Sequence, residues 1–270
     1  MNNEGSRRFG EHADEERTVE LLRDAATRLE ASRGDPGESV ERVLTRGTDR
    51  LFSCDSPLGE VYVGVSERGV RLVGRAAAPE EFARRYRERF GKLLSWGMDE
   101  RTHRLAERVA AALAGEKVEV PADLSGTTPF QRRVLETVKG IPRGEVRPYA
   151  WVAREAGSPK ASRAVGSVMA NNPVPLVVPC HRVVRNDGTT GQYAFGAEEK
   201  VGLLEEEGVP VEEIAGSPYL ATPTTRIFCH TTCRNARGIK PENRRRFRSA
   251  EAATSAGYRP CKVCRPVVAG

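Results

Sequence analysis

No stretch of this sequence approaches the apolar length that crosses a bilayer. The polar, acidic start, MNNEGSRRFGEHADEER, lacks the apolar middle of a signal peptide. The expectation is therefore a cytoplasmic chain with no membrane partner. Histidine is scarce, with 4 in 270 residues, at His12, His103, His181 and His230. Acidic residues are scarce in one place only. The last fifty residues hold 2 Asp or Glu against 11 Lys or Arg. The overall charge of +6 therefore belongs to that tail, a polyanion-binding pattern confined to one module or else a solvated surface.

What is present is enough for real cores: 39% of the residues are hydrophobic. Residues 1–46 form a charged, Ala-rich leader with one expected helix, Glu15 to Ala31, ending before the linker-like SRGDPGES. Residues 50–120 read as an α/β domain. RLFSCDSPLGEVYVGVSERGVRLVG gives three short strands, and helices are expected from Pro79 to Leu94 and from Arg101 to Ala114. Residues 126–210 read as a helical unit. Its first helix begins at Thr128-Pro129, and YAWVAREAGSPKASRAVGSVMANNP has the shape of a helix-turn-helix. The last helix of that unit runs from Ala197 to Glu207, and residues 211–222 are expected to be a linker.

Six cysteines in a cytosolic chain point to reactive or metal-bound thiols. Cys180 sits beside His181 in VPCHRVV, and three fates are open to it: nucleophile, metal ligand or small buried hydrophobe. Adjacent side chains in an extended segment point apart, so a protease-like direct pair is disfavoured over a bridging water. The other histidines lie in the leader, an early helix and the tail. In the tail, Cys229 and Cys233 form one close pair and Cys261 and Cys264 another. That pattern suits zinc, because each short loop brings two thiolates to one edge of a tetrahedron.

The stretch RAVGSVMANNPVPLVVPCHRVVRNDGTTGQYAFGAEEKVGLLEEEG resembles the methylated-DNA–protein-cysteine methyltransferases, through PCHR followed by Val-Val in an Asn-Pro-Val-Pro context. The resemblance runs through roughly residues 50–210. It implies suicide repair, in which an alkyl group on guanine O6, or thymine O4, of double-stranded DNA moves irreversibly to Cys180 with no cofactor. His181 would relay the thiol proton through a water, and Glu207 would orient His181. Tyr149 would donate to guanine N3, Asn172 would brace the turn under the cysteine, and Arg163 would fill the stack left by a flipped base. Ala164 would let its helix approach the minor groove. The backbone of Ala194 and of Val183 would meet guanine O6 and the exocyclic amine. The implied molecule is a nucleoid-associated monomer.

The tail resembles the metal-binding domain of the Ada response protein, through IFC, KPEN and RPC. This implies a zinc module over residues 223–267 in which Cys229 is a second methyl acceptor, from phosphotriesters, or in which the module only aids DNA binding. The expected fold class is α+β: a small ribonuclease-H-like α/β domain, a winged-helix-like catalytic domain and a zinc module. The competing readings are a damage sensor, which would lack the acceptor cysteine, and a methylation-switched transcriptional regulator.

Overall fold

The computed structural model describes residues 48–268. The leader helix expected at Glu15 to Ala31 lies outside these residues. Everything below concerns the compact unit that begins at Arg50.

Strands β1 (Thr48–Ser56), β2 (Gly59–Ser66) and β3 (Gly69–Gly74) form an antiparallel meander. Helices α1 (Pro79–Phe90) and α2 (Glu100–Leu113) follow, with β4 (Leu93–Trp96) between them. The sheet order is β3-β2-β1-β4. Alternation along the strands serves two faces. Leu51 and Tyr62 pack with Phe82 and Tyr86 of α1, whereas Phe52, Val61 and Val63 share a core with Leu105, Val109 and Leu113 of α2. The helix expected to reach Leu94 stops at Phe90. Gly91 adopts a left-handed φ of 65° and donates to the Arg87 carbonyl, and this cap frees Leu93–Trp96 to become the fourth strand.

Helix α3 (Pro129–Lys139) opens with a capping box between Thr128 and Gln131. Then come β5 (Arg147–Pro148), α4 (Tyr149–Glu155) and α5 (Ser162–Ala170). A 3₁₀ turn, Cys180–Arg182, leads directly into β6 (Val183–Val184), and α6 (Ala197–Glu206) closes this part. Strands β5 and β6 pair in parallel, Arg147 opposite Val183, so the chain leaving Cys180 is tied to the entry of α4.

The segment expected to be a linker is ordered. It contains α7 (Val211–Ile214) and β7 (Tyr219–Thr222). Strand β7 pairs with β8 (Ile227–His230) and with β9 (Arg245–Phe247). Helices α8 (Arg234–Arg237) and α9 (Ala250–Ser255) and strand β10 (Arg259–Pro260) complete the tail, with sheet order β10-β8-β7-β9. One face of this sheet buries Tyr219, Ala221 and Phe228 against Ala250 and Ala253; the other carries Leu220 and all four tail cysteines.

The tail is joined to the helical part by specific bonds. Trp151 Nε1 donates to the Cys264 carbonyl at 2.9 Å, and the Val146 amide donates to Thr232 Oγ1 at 2.9 Å. The Arg154 guanidinium donates to the Arg265 and Pro266 carbonyls, and Arg265 pairs with Glu155. No described helix is long and apolar enough to cross a membrane.

Candidate active site and metal centre

Cys180 and His181 occupy a 3₁₀ turn, not the extended segment expected, and both are buried. The turn is braced by Asn172, which follows α5. Its Nδ2 donates to the Val178 carbonyl at 3.0 Å and to Cys180 Sγ at 3.2 Å, while its Oδ1 accepts from the Val174 amide. Leu176 takes a left-handed φ of 72° within this loop. A buried amide that meets both a carbonyl and a sulfur fixes where the thiol sits.

Burial pushes the Cys180 thiol above its ordinary pKa, against the Asn172 hydrogen bond and the Lys200 charge, which pull it down. Lys200 was not anticipated from the sequence. It is fully buried on α6, donates to the Val183 carbonyl at 2.6 Å, and is pushed down to about 8 by desolvation. The Val183 carbonyl, expected to meet the guanine amine, therefore already gives a lone pair to Lys200.

His181 Nε2 lies 3.0 Å from Glu207 Oε1. Burial raises the Glu207 carboxyl, but the hydrogen bonds from His181 and Arg182 overcome it and hold it at about 2. An ionised carboxylate only accepts, so the hydrogen must be on Nε2. Burial also lowers His181 below its usual value, which keeps the ring neutral near pH 7. The remaining ring nitrogen, Nδ1, is then a free base site, and it has no partner among the described residues.

Glu207 has further partners that the sequence did not signal. Arg182 contacts both of its oxygens, at 2.7–3.1 Å, and anchors itself on the Ile141 carbonyl. The Gly144 amide donates to Oε2 at 3.1 Å. Neither Glu205 nor Glu206 reaches the histidine among the bonds found; Glu206 pairs with Arg143 instead.

Tyr149 begins α4 and is half-buried; burial and the nearby Cys180 raise its phenol. Arg163 and Ala164 are exposed on α5, and a methyl group at Gly166 would meet open space. Ala194 is exposed in a turn beside Tyr193, whose ring meets His181 edge-on. The structure thus brings Cys180, His181, Glu207, Asn172 and Tyr149 to one locality, and leaves Arg163 and Ala164 on the helix surface.

In the tail, the sulfurs of Cys229, Cys233, Cys261 and Cys264 all lie within 4.8 Å of one another, and none is in a disulfide. A tetrahedral metal–thiolate site has sulfurs about 3.8 Å apart. Strand pairing makes this cluster: Pro260 is opposite Phe228, so Cys261, just past β10, lies beside Cys229 of β8. The His230 amide donates to Cys264 Sγ, and the Val263 amide to Cys261 Sγ, both at 3.4 Å. Such donors suit thiolates, and the four residues fit a metal ion.

Fold and site define a cysteine-centred reactive protein on a helix-turn-helix frame with a thiolate metal centre attached. A family model described as the DNA-binding domain of 6-O-methylguanine DNA methyltransferase matches residues 129–209, and the metal-binding domain of Ada matches residues 212–267. Methylated-DNA–protein-cysteine methyltransferase of Salmonella typhimurium is 37% identical over 167 residues, covering 57% of this chain and 92% of that relative. The bifunctional transcriptional activator/DNA repair enzyme Ada of Escherichia coli is 34% identical over 160 residues, covering 58% of this chain and 45% of that relative. Mycobacterium tuberculosis OGT in complex with DNA aligns at 30% identity over 62% of this chain and 98% of that one, with a TM-score of 0.47. The chain belongs to the methylated-DNA–protein-cysteine methyltransferases.

Proposed function

We propose that this protein repairs O6-alkylguanine in duplex DNA by moving the alkyl group to Cys180, once per molecule. The observation that carries this reading is the buried set Cys180, His181 and Glu207, with Nδ1 of a neutral imidazole free to take a proton.

The raised thiol of Cys180 must lose its proton before it attacks. His181 Nδ1 accepts that proton through one water, and Glu207 holds the opposite nitrogen and stabilises the imidazolium. The sulfur displaces guanine O6 at the alkyl carbon: the C–O6 bond breaks, the S–C bond forms, and the base leaves with the bond electrons. Tyr149 lends its proton to the departing base at N3 and regains the one carried by His181, and the base moves its single added hydrogen from N3 to N1 through water, so the product is ordinary guanine plus a thioether at Cys180. A thioether has no leaving tendency toward water, so the molecule is spent.

The target atom is hidden in the duplex stack, so the base must be extruded. Helix α5 suits a close minor-groove approach, because its exposed face carries Ala164 and Ser167 and has open space at Gly166. Arg163, exposed on the same helix, fills the vacated stack. The exposed Ala194 turn and the Val183 backbone border the base.

Cys229, Cys233, Cys261 and Cys264 hold zinc. The ion would offset two of the four thiolate charges and would fix the tail fold. Arg244, Arg245, Arg246 and Arg248 of the tail add phosphate contacts. Transfer from a methylphosphotriester to Cys229 is the second reading, supported by the match of residues 212–267 to the Ada metal-binding domain.

A titration tests the main reading. Increasing amounts of O6-methylguanine duplex are added to the protein, and repaired guanine is counted. One guanine restored per wild-type molecule and none with Cys180→Ala is expected. Continued turnover, or repair by Cys180→Ala, overturns it.

A further inference from the structure

The tail reaches the active site through one glycine. Arg237, in the last turn of α8 and four residues after Cys233, donates from Nη2 to the Gly144 carbonyl at 2.5 Å. The Gly144 amide donates to Glu207 Oε2 at 3.1 Å. Gly144 has a left-handed φ of 72°, and a Cβ placed there would stand 2.8 Å from Arg237 Nη2 and 2.8 Å from the Glu207 carbonyl oxygen. One residue is thus clamped between a tail guanidinium and the residue that holds His181.

The neighbours of Gly144 are held from the same side. The Arg234 amide, at the start of α8, donates to Glu145 Oε1 at 3.1 Å, and Glu145 pairs with the buried Arg147. The Val146 amide donates to Thr232 Oγ1. Three consecutive residues of the catalytic part are therefore set by the segment between Cys229 and α8. That segment is itself anchored at Cys229 and Cys233.

Glu207 has two competing claims on its orientation. Arg182 contacts both oxygens, and alone it favours a symmetric fork–fork pair. The Gly144 amide on Oε2 pins the carboxylate so that Oε1 faces His181. We infer that Arg237 is a positioning residue for transfer at Cys180, and that metal loading of the tail sets the reactivity of the catalytic cysteine through α8, Gly144 and Glu207. This rests on Cys180 being the alkyl acceptor. It makes the tail a working part of the guanine-repair centre, whether or not any group is ever transferred to the tail itself.

The test uses the full chain. Single-turnover transfer from O6-methylguanine duplex is followed at saturating protein across pH, for wild type, Arg237→Ala, Arg237→Lys and Arg265→Ala. The last breaks the Arg265–Glu155 pair on the far side of the tail contact and has no link to Gly144. Zinc content and duplex affinity are measured for each. Arg237→Ala is expected to keep its zinc and its affinity, to slow about ten- to a hundredfold, and to shift the acid limb of the rate profile. Arg237→Lys restores most of the rate, and Arg265→Ala matches wild type. A wild-type rate in Arg237→Ala, or equal slowing in Arg265→Ala, overturns the inference. A second readout needs no variant: ¹⁵N resonances of the His181 ring in wild type before and after zinc chelation. Loss of the Nε2 hydrogen-bond signature is expected, and an unchanged ring contradicts the inference. If wild type leaves Cys180 unalkylated, the repair reading itself fails, and the ¹⁵N result still reports on the coupling.

Discussion

His181 Nε2 and Glu207 Oε1 meet at 3.0 Å with both side chains almost wholly excluded from water. That contact decides the tautomer of the imidazole and leaves Nδ1 as the base.

Replacing Glu207 by Gln keeps the shape but removes the charge that fixes this tautomer. The transfer rate should fall about 10²- to 10⁴-fold, because the general-base contribution of a correctly oriented His181 is lost. Duplex affinity should hold, because Glu207 is buried away from the α5 surface. Single-turnover kinetics beside a binding isotherm separates the two.

Acid should expose the same carboxylate. Its folded value of about 2 lies below the ordinary 4.5, so its contribution to stability is present above pH 4.5 and is lost as pH falls towards 2. The contribution is on the order of 3 kcal/mol. Urea melts of wild type and Glu207→Gln between pH 6 and pH 2.5 should converge as pH falls. Parallel curves would show that the carboxylate is not held low.

Asn172→Ala strips a donor from the Val178 carbonyl and from Cys180 Sγ at once. A loss of about 1–3 kcal/mol is expected for the unsatisfied buried groups, read by chemical denaturation. The thiol should also become harder to ionise, which iodoacetamide labelling as a function of pH detects as a rise in the Cys180 pKa.

Chelating the metal should be visible to Trp151, whose Nε1 is bonded to the Cys264 carbonyl. Trp151 is buried and Trp96 is exposed, so a red shift of tryptophan emission on chelation reports release of the tail. A spectrum that does not move would mean that the tail contact survives without metal.

Much of the site was legible because its members are close in sequence. Asn172, Cys180 and His181 fall within one loop, inside the contiguous motif that carries the family resemblance, and it was that resemblance that implied their roles and that of Glu207, which caps the helix Ala197–Glu206. Four cysteines in two pairs announced the metal centre for the same reason. What escaped depended on distant partners or on weak local patterns. Arg182 was read as part of a motif, yet its work is to hold Glu207 and the Ile141 carbonyl. Lys200 lies on a helix rich in acidic residues, drew no reading from the sequence, and is fully buried. The stretch SPYLAT is too short to signal a strand by alternation, yet Tyr219–Thr222 is a central strand because β8 and β9 pair on either side of it. The join between Trp151 and Cys264 spans 113 residues, and no local rule foresees it.

The central claim is transfer of an alkyl group to one named sulfur. Intact mass followed by peptide mapping, after incubation with O6-methylguanine duplex, tests it most directly. The account predicts one added methyl group, on the peptide containing Cys180 and nowhere else. An unmodified Cys180 peptide alongside repaired guanine, or a methyl group on another residue, would contradict it.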